Sequence, residues 1–103
     1  MVQSMSNLVN EVKNRCPDDF APCSITFKIG ESMHAFDEVV KVFTSAGFEV
    51  KDFVSDHMCV LSRDKDGVNE AVKVQETTIQ IQASQETLLD LCKDLKDYCI
   101  GLD

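Results

Sequence analysis

Glycine, proline and positive charge are all scarce in this sequence. Only 4 Gly and 2 Pro occur in 103 residues, too few for long linkers, low-complexity tails or a collagen-like repeat. No apolar run approaches the roughly 20 residues that a helix needs to cross a bilayer. Lys and Arg number 10 against 18 Asp and Glu, a formal charge of -8. A surface of that sign repels nucleic-acid phosphates and anionic headgroups, whose binding begins with Lys and Arg. Direct nucleic-acid binding and membrane binding are therefore disfavoured. The same surface steers encounters with basic proteins, including proteins that themselves bind nucleic acid.

Catalytic and cofactor signatures are missing as well. There is no Gly-rich phosphate loop and no close Cys pair of the zinc-binding kind. The nearest cysteines, Cys16 with Cys23 and Cys92 with Cys99, are separated by six residues. The acidic turn Asp64-Lys65-Asp66-Gly67 has its glycine in fourth place, whereas a calcium loop needs it in sixth. We therefore expect no metal and no cofactor. The fifth cysteine is Cys59, and an odd number with no recognisable leader argues against a secreted disulfide framework. Free cysteines throughout and a reducing, cytoplasmic location are the expectation.

What is present is a clear alternation of periods within a length suited to a single domain over 1–103. Leu8, Val9, Val12 and Cys16 have helical spacing, with Ser4 or Ser6 as cap and Pro17 as stop. Cys23, Ile25, Phe27 and Ile29 alternate with polar residues as a half-buried strand does. After Gly30 and the candidate cap Ser32, Phe36, Val39, Val40 and Phe43 predict an amphipathic helix stopped by Gly47. Phe48 and Val50 begin a second strand. Ser55-Asp56 turns the chain into a third, Met58 to Leu61, and Asp66-Gly67 turns it into a fourth.

That fourth strand changes parity, from Val72 and Val74 to Ile79 and Ile81, which predicts a bulge or break near Glu76-Thr77-Thr78. Ser84 caps a last helix carrying Leu88, Leu91, Cys92, Leu95, Tyr98 and Cys99 on one side and ending at Gly101. The order α-β-α-β-β-β-α predicts an α+β fold, a small two-layer sandwich. Its four-stranded mixed sheet would have the helices packed on one face and the first two strands parallel through a right-handed crossover.

Several side chains carry groups capable of chemistry. His57 and Cys59 project from one face of a strand and resemble a thiolate-imidazole pair, yet no orienting group or oxyanion donor accompanies them. Cys59 shares its parity with Leu61 and reads more simply as core. His34 and Glu38 sit at i, i+4 on the polar side of their helix, a solvated arrangement. Asp37 and Glu38 diverge by about 100° and do not converge on one site.

The feature least easily set aside is the line Glu86, Asp90, Asp94 and Asp97, four carboxylates opposite the leucine stripe of the last helix. Such a line is either a solvated face or a contact surface for a basic protein. Asp64 and Asp66 in the turn are the second candidate contact. The expected function is that of a non-enzymatic acidic interaction protein binding a basic protein partner, as an inhibitor, an immunity-type antagonist or an adaptor does. The alternative is a small-metabolite-binding regulatory domain, or a homo-oligomer with a ligand at its interface. A hydrolase-like activity at Cys59 and His57 ranks third.

Overall fold

The computed structural model describes residues 5–16, 22–29, 33–55 and 58–102. The expected cap at Ser4, the stops at Pro17 and Gly30, the cap Ser32, the turn residue Asp56 and the candidate His57 lie outside these residues, as do the side chains of Ser6 and His34. Helix α1 (Met5–Arg15) turns Leu8 and Val12 inward, with Cys16 following. Strand β1 (Cys23–Ile29) buries Ile25, Phe27 and Ile29. Helix α2 (Met33–Ser45) buries Phe36, Val39 and Phe43.

The stop after α2 is built as its sequence suggests. Gly47 takes φ +99°, its N–H donates to Thr44 O at 3.2 Å, and the Phe48 N–H donates to Phe43 O at 3.0 Å. The Phe43 and Phe48 rings meet edge to face at 5.5 Å, the apolar contact that accompanies this kind of helix end.

Strands β2 (Glu49–Ser55), β3 (Met58–Lys65), β4 (Val68–Gln75) and β5 (Thr78–Ala83) form an antiparallel meander. Helix α3 (Gln85–Leu95) and the short strand β6 (Cys99–Leu102) complete the chain. The sheet has six strands in the order β2-β3-β4-β5-β1-β6, and every neighbouring pair is antiparallel. This corrects the expected four-stranded mixed sheet on three counts.

First, the parity change near Glu76 is the break, one of the two expected alternatives, and it divides the expected fourth strand into two. A turn at Glu76-Thr77 joins β4 to β5 and sets Val74 opposite Ile79 and Val72 opposite Ile81. Directly opposed residues share a face, so the two parities meet in one core. Second, α3 ends at Leu95, and Cys99–Leu102 pairs with β1 instead of extending the helix. The seven-residue step from Cys92 to Cys99 imitates two helical turns, which is why the strand is hidden in the pattern. Third, β1 and β2 do run in the same sense, but β5, β4 and β3 lie between them. The register Ile25↔Ile81 and Phe27↔Ile79 gives β1 two apolar cross-strand pairs with β5 on the helix side.

Phe36, Leu91, Ile25 and Phe27 belong to one buried cluster, so α2 and α3 cover the same face of the sheet. The opposite face carries Ser24, Thr26, Lys73, Gln80 and Gln82. Cys16 and Cys23 form a disulfide with Cα atoms 5.7 Å apart, which corrects the expectation of five free thiols. The bond ties the end of α1 to the start of β1, and the odd count reflects one bonded pair plus Cys59, Cys92 and Cys99, all buried. Disulfides persist mainly in oxidising compartments, so this pair weighs against the reducing location expected from the count. No helix among the described residues is long and apolar enough to cross a membrane.

Candidate functional site

Two sets of charged side chains meet around α3, one beneath its start and one along its outer face. The first set begins in the β3-β4 hairpin. Asp66 and Gly67 adopt φ +52° and +81°, the paired positive values of a two-residue turn whose twist matches the strands. That turn fixes the register, and three positions back it sets Arg63 directly opposite Glu70. Both lie on the helix-facing side, in line with Cys59 and Leu61 on β3 and with Val72 and Val74 on β4. The Arg63 Nε donates to Glu70 Oε1 at 2.8 Å, with the two side chains 19% and 2% exposed.

The pair reaches in both directions to helix ends. Arg63 Nη1 donates to the Ala46 carbonyl at the C-terminus of α2, and its guanidinium lies 4.4 Å over the Phe48 ring. Arg63 Nη2 donates to Thr87 Oγ1 at 3.3 Å. Glu70 Oε2 accepts the Ser84 backbone N–H at 3.3 Å, while Ser84 Oγ accepts from the Thr87 N–H at 3.3 Å as the cap of α3. A cation therefore sits at the negative end of one helix and an anion at the positive end of the next, each complementing the dipole it meets. Burial alone pushes the Glu70 carboxyl up, but hydrogen bonding with Thr87, Arg63 and Ser84 and the Arg63 charge outweigh it and hold the group below its ordinary value.

Sequence reasoning missed this network, although a signal existed. A charged residue on the buried parity of each strand, at mirror positions about an Asp-Gly turn, announces a cross-strand pair.

The second set is the acidic line itself. Glu86, Asp90, Asp94 and Asp97 are all exposed, while Leu88, Leu91, Cys92 and Leu95 on the other side of α3 are buried. Asp97 stands just past the helix end. Successive carboxylates at four-residue steps are spaced about 6 Å along the axis. At the start of the line, Lys65 Nζ lies 3.8 Å from Glu86 Oε1 and joins the hairpin turn to α3. Asp66 and Glu86 thereby flank one cavity of about 350 Å³, which Lys65, Val68, Glu70 and Ser84 also line. Asp64 accepts from Asn69 Nδ2 at 3.1 Å in the same hairpin. Asp66 thus adjoins the start of the acidic line, whereas Asp64, one position on from the helix-facing Arg63, lines a separate cavity with Glu49 and Lys51.

At its other end the line meets α2. Glu38, Lys41, Val42, Ser45 and Ala46 of the α2 segment face Asp94 and Tyr98 across a groove of about 550 Å³. The Tyr98 hydroxyl donates to Glu38. That hydrogen bond, burial and the charges of Glu38 and Asp97 push the phenol up. Glu38, expected on an isolated polar face, is thus brought beside the acidic line.

The thiols are placed for packing. Burial, with a smaller effect of Asp52, pushes the Cys59 thiol up. Burial raises Cys92 to about 11, and burial together with Cys92 raises Cys99 to about 12. Each is held in the neutral form, the reverse of the lowered value that activates a nucleophilic cysteine. Among the described residues no three His, Cys, Asp or Glu converge on a metal position. Comparison with known protein families, characterised proteins and solved structures finds no match to this chain.

Proposed function

We propose that the protein is a non-enzymatic interaction module whose acidic helical face receives a basic protein partner. The observation that carries this reading is the groove between α2 and α3, where Glu38 and Asp94 face each other beside the Tyr98 phenol. It prolongs the line Glu86, Asp90, Asp94 and Asp97, so carboxylates extend from the hairpin turn to the far end of α3. The groove supplies a recess for a long basic side chain, with an aromatic wall and two carboxylates against one cation, Lys41, among its described lining residues. The line beyond it suits a partner whose Lys or Arg residues repeat at about 6 Å, the rise of four helical residues. An inhibitor, an immunity-type antagonist or an adaptor acts through a surface of this kind, and a nucleic-acid-binding protein has the matching charge.

The test is a titration of the labelled protein with a lysine-rich helical peptide, followed residue by residue by nuclear magnetic resonance. Shifts confined to α3, Glu38 and Tyr98, weakening steeply as salt is added, support the reading. Shifts scattered over the whole surface, or none at low salt, contradict it.

A second reading, binding of a small metabolite, is favoured by the cavity of about 350 Å³ beside Glu70. It ranks lower because both Glu70 oxygens already accept hydrogen bonds from Arg63 and Ser84.

A further inference from the structure

The exposed large apolar side chains of the described residues are Val50, Phe53, Val54 and Ile100, at 44%, 52%, 57% and 43% exposure. Three of the four stand on β2, a seven-residue strand at the edge of the sheet. An edge strand leaves one side of its backbone without a ladder, and apolar side chains there invite pairing with another strand. Two register irregularities in β2, between Val50 and Asp52 and between Phe53 and Ser55, separate its apolar positions. Val50 lies opposite Leu61 and Phe53 opposite Cys59, so both stand on the helix-facing side, where Phe53 also meets Phe36 edge to face at 6.1 Å.

The sequence of this edge, Glu49-Val50-Lys51-Asp52-Phe53-Val54, is complementary to itself. A two-fold axis between Lys51 and Asp52 sets each Lys51 against the other copy's Asp52 and each Val50 against the other copy's Phe53. Directly opposed residues of an antiparallel pair share a face, and Val50 and Phe53 already do. Moving the axis onto Lys51 or onto Asp52 would oppose like charges, which disfavours either slip. Lys51 is committed only to an exposed contact with Glu49 at 3.1 Å, a pair of the kind that contributes little and exchanges readily. A foreign strand would have to match two bulges and a charged pair, devices that ordinarily deter edge pairing. A second copy carries the same bend and the complementary charges.

We propose that β2 is a self-association edge, through which two copies of this chain join their sheets antiparallel about a two-fold axis between Lys51 and Asp52. The interface is isologous and closes at a dimer. It lies on an edge strand, apart from the acidic face of helix α3.

Sedimentation over a wide concentration range tests this with single and double charge exchanges, each checked by its melting curve. The wild type should dimerise reversibly. Lys51→Asp and Asp52→Lys should each weaken self-association on the order of tenfold or more, since each replaces two attractive pairs by two repulsive ones. Asp52→Lys lowers the net negative charge, so its weakening cannot come from overall repulsion. The double exchange restores opposite charges in the same register and should restore the dimer, while Ile100→Lys should leave it unchanged. A wild type that stays monomeric at every concentration overturns the proposal without reference to any variant. A dimer indifferent to both single exchanges, unrescued by the double one, or lost in Ile100→Lys also overturns it, the last outcome pointing to head-to-tail pairing of the two edges.

Discussion

Glu70 and the carboxylates of α3 lie close together yet do opposite things. Glu70 is buried, ionised, and bonded on both oxygens to groups that need an anion. Glu86, Asp90, Asp94 and Asp97 are exposed and repel one another along α3 and the turn just past it. The buried carboxylate holds the ends of two helices against a hairpin. Of the exposed ones only Glu86 has a contact of that kind, a long and largely exposed one to Lys65 at 3.8 Å, while Asp94 and Asp97 stand at the helix end where the dipole disfavours negative charge. Asp90, Asp94 and Asp97, which repel their neighbours on the line and hold no hairpin to the helix, are the carboxylates left available for a partner.

The largest effect expected from this contrast is at Glu70. Glu70→Ala leaves Arg63 and the Ser84 N–H without their acceptor and should lower stability by about 3 to 5 kcal/mol in chemical denaturation, as loss of one member of a buried pair does. A loss within about 0.5 kcal/mol, the range of ordinary surface changes, would erase the distinction between the two sets. The pH dependence sharpens it. The folded Glu70 value lies below its ordinary 4.5, so the ionised group contributes stability that is fully present above that value. The contribution is lost as pH falls through the lowered folded value. Denaturation followed downward from neutral pH should show this loss in the wild type, and the Glu70→Gln variant should lack that component.

Much of this arrangement is written in the sequence, but unevenly. The amphipathic stripes placed α2 and α3, and Gly47 and Ser84 placed their ends, because periodicity and capping are local. The Asp66-Gly67 turn and the acidic line were legible for the same reason. Strand order was not: Val72, Val74, Ile79 and Ile81 give the burial of two strands without saying which neighbour β1 takes. Cys99 continued the helical spacing into what is a strand. The charged pair Arg63 and Glu70 emerges only when two strands are laid side by side, and Glu38 reaches Asp94 only through the packing of two helices on one face.

An intermediate effect is expected at the disulfide. Cys23→Ser opens a short loop and should cost about 2 to 3 kcal/mol by the loop-entropy relation. Thiol titration of the unreduced, denatured wild type should find three reactive groups, Cys59, Cys92 and Cys99. Five groups would show that Cys16 and Cys23 are not bonded in the protein as isolated.

The smallest change in stability is expected on the acidic line, and it bears most directly on the account. Asp90→Lys combined with Asp94→Lys turns the repulsions of Glu86 with position 90 and of Asp97 with position 94 into attractions while leaving positions 90 and 94 like-charged, each pair worth a few tenths of a kcal/mol, so stability should hold level or rise slightly. Affinity for a lysine-rich helical peptide at low salt should fall on the order of tenfold or more, since two attractive contacts become repulsive. Measuring both quantities on this one double variant separates a contact surface from a solvated one. Lost affinity with unchanged stability is the predicted result, and affinity equal to that of the wild type at low salt contradicts the assignment of α3 as the binding face.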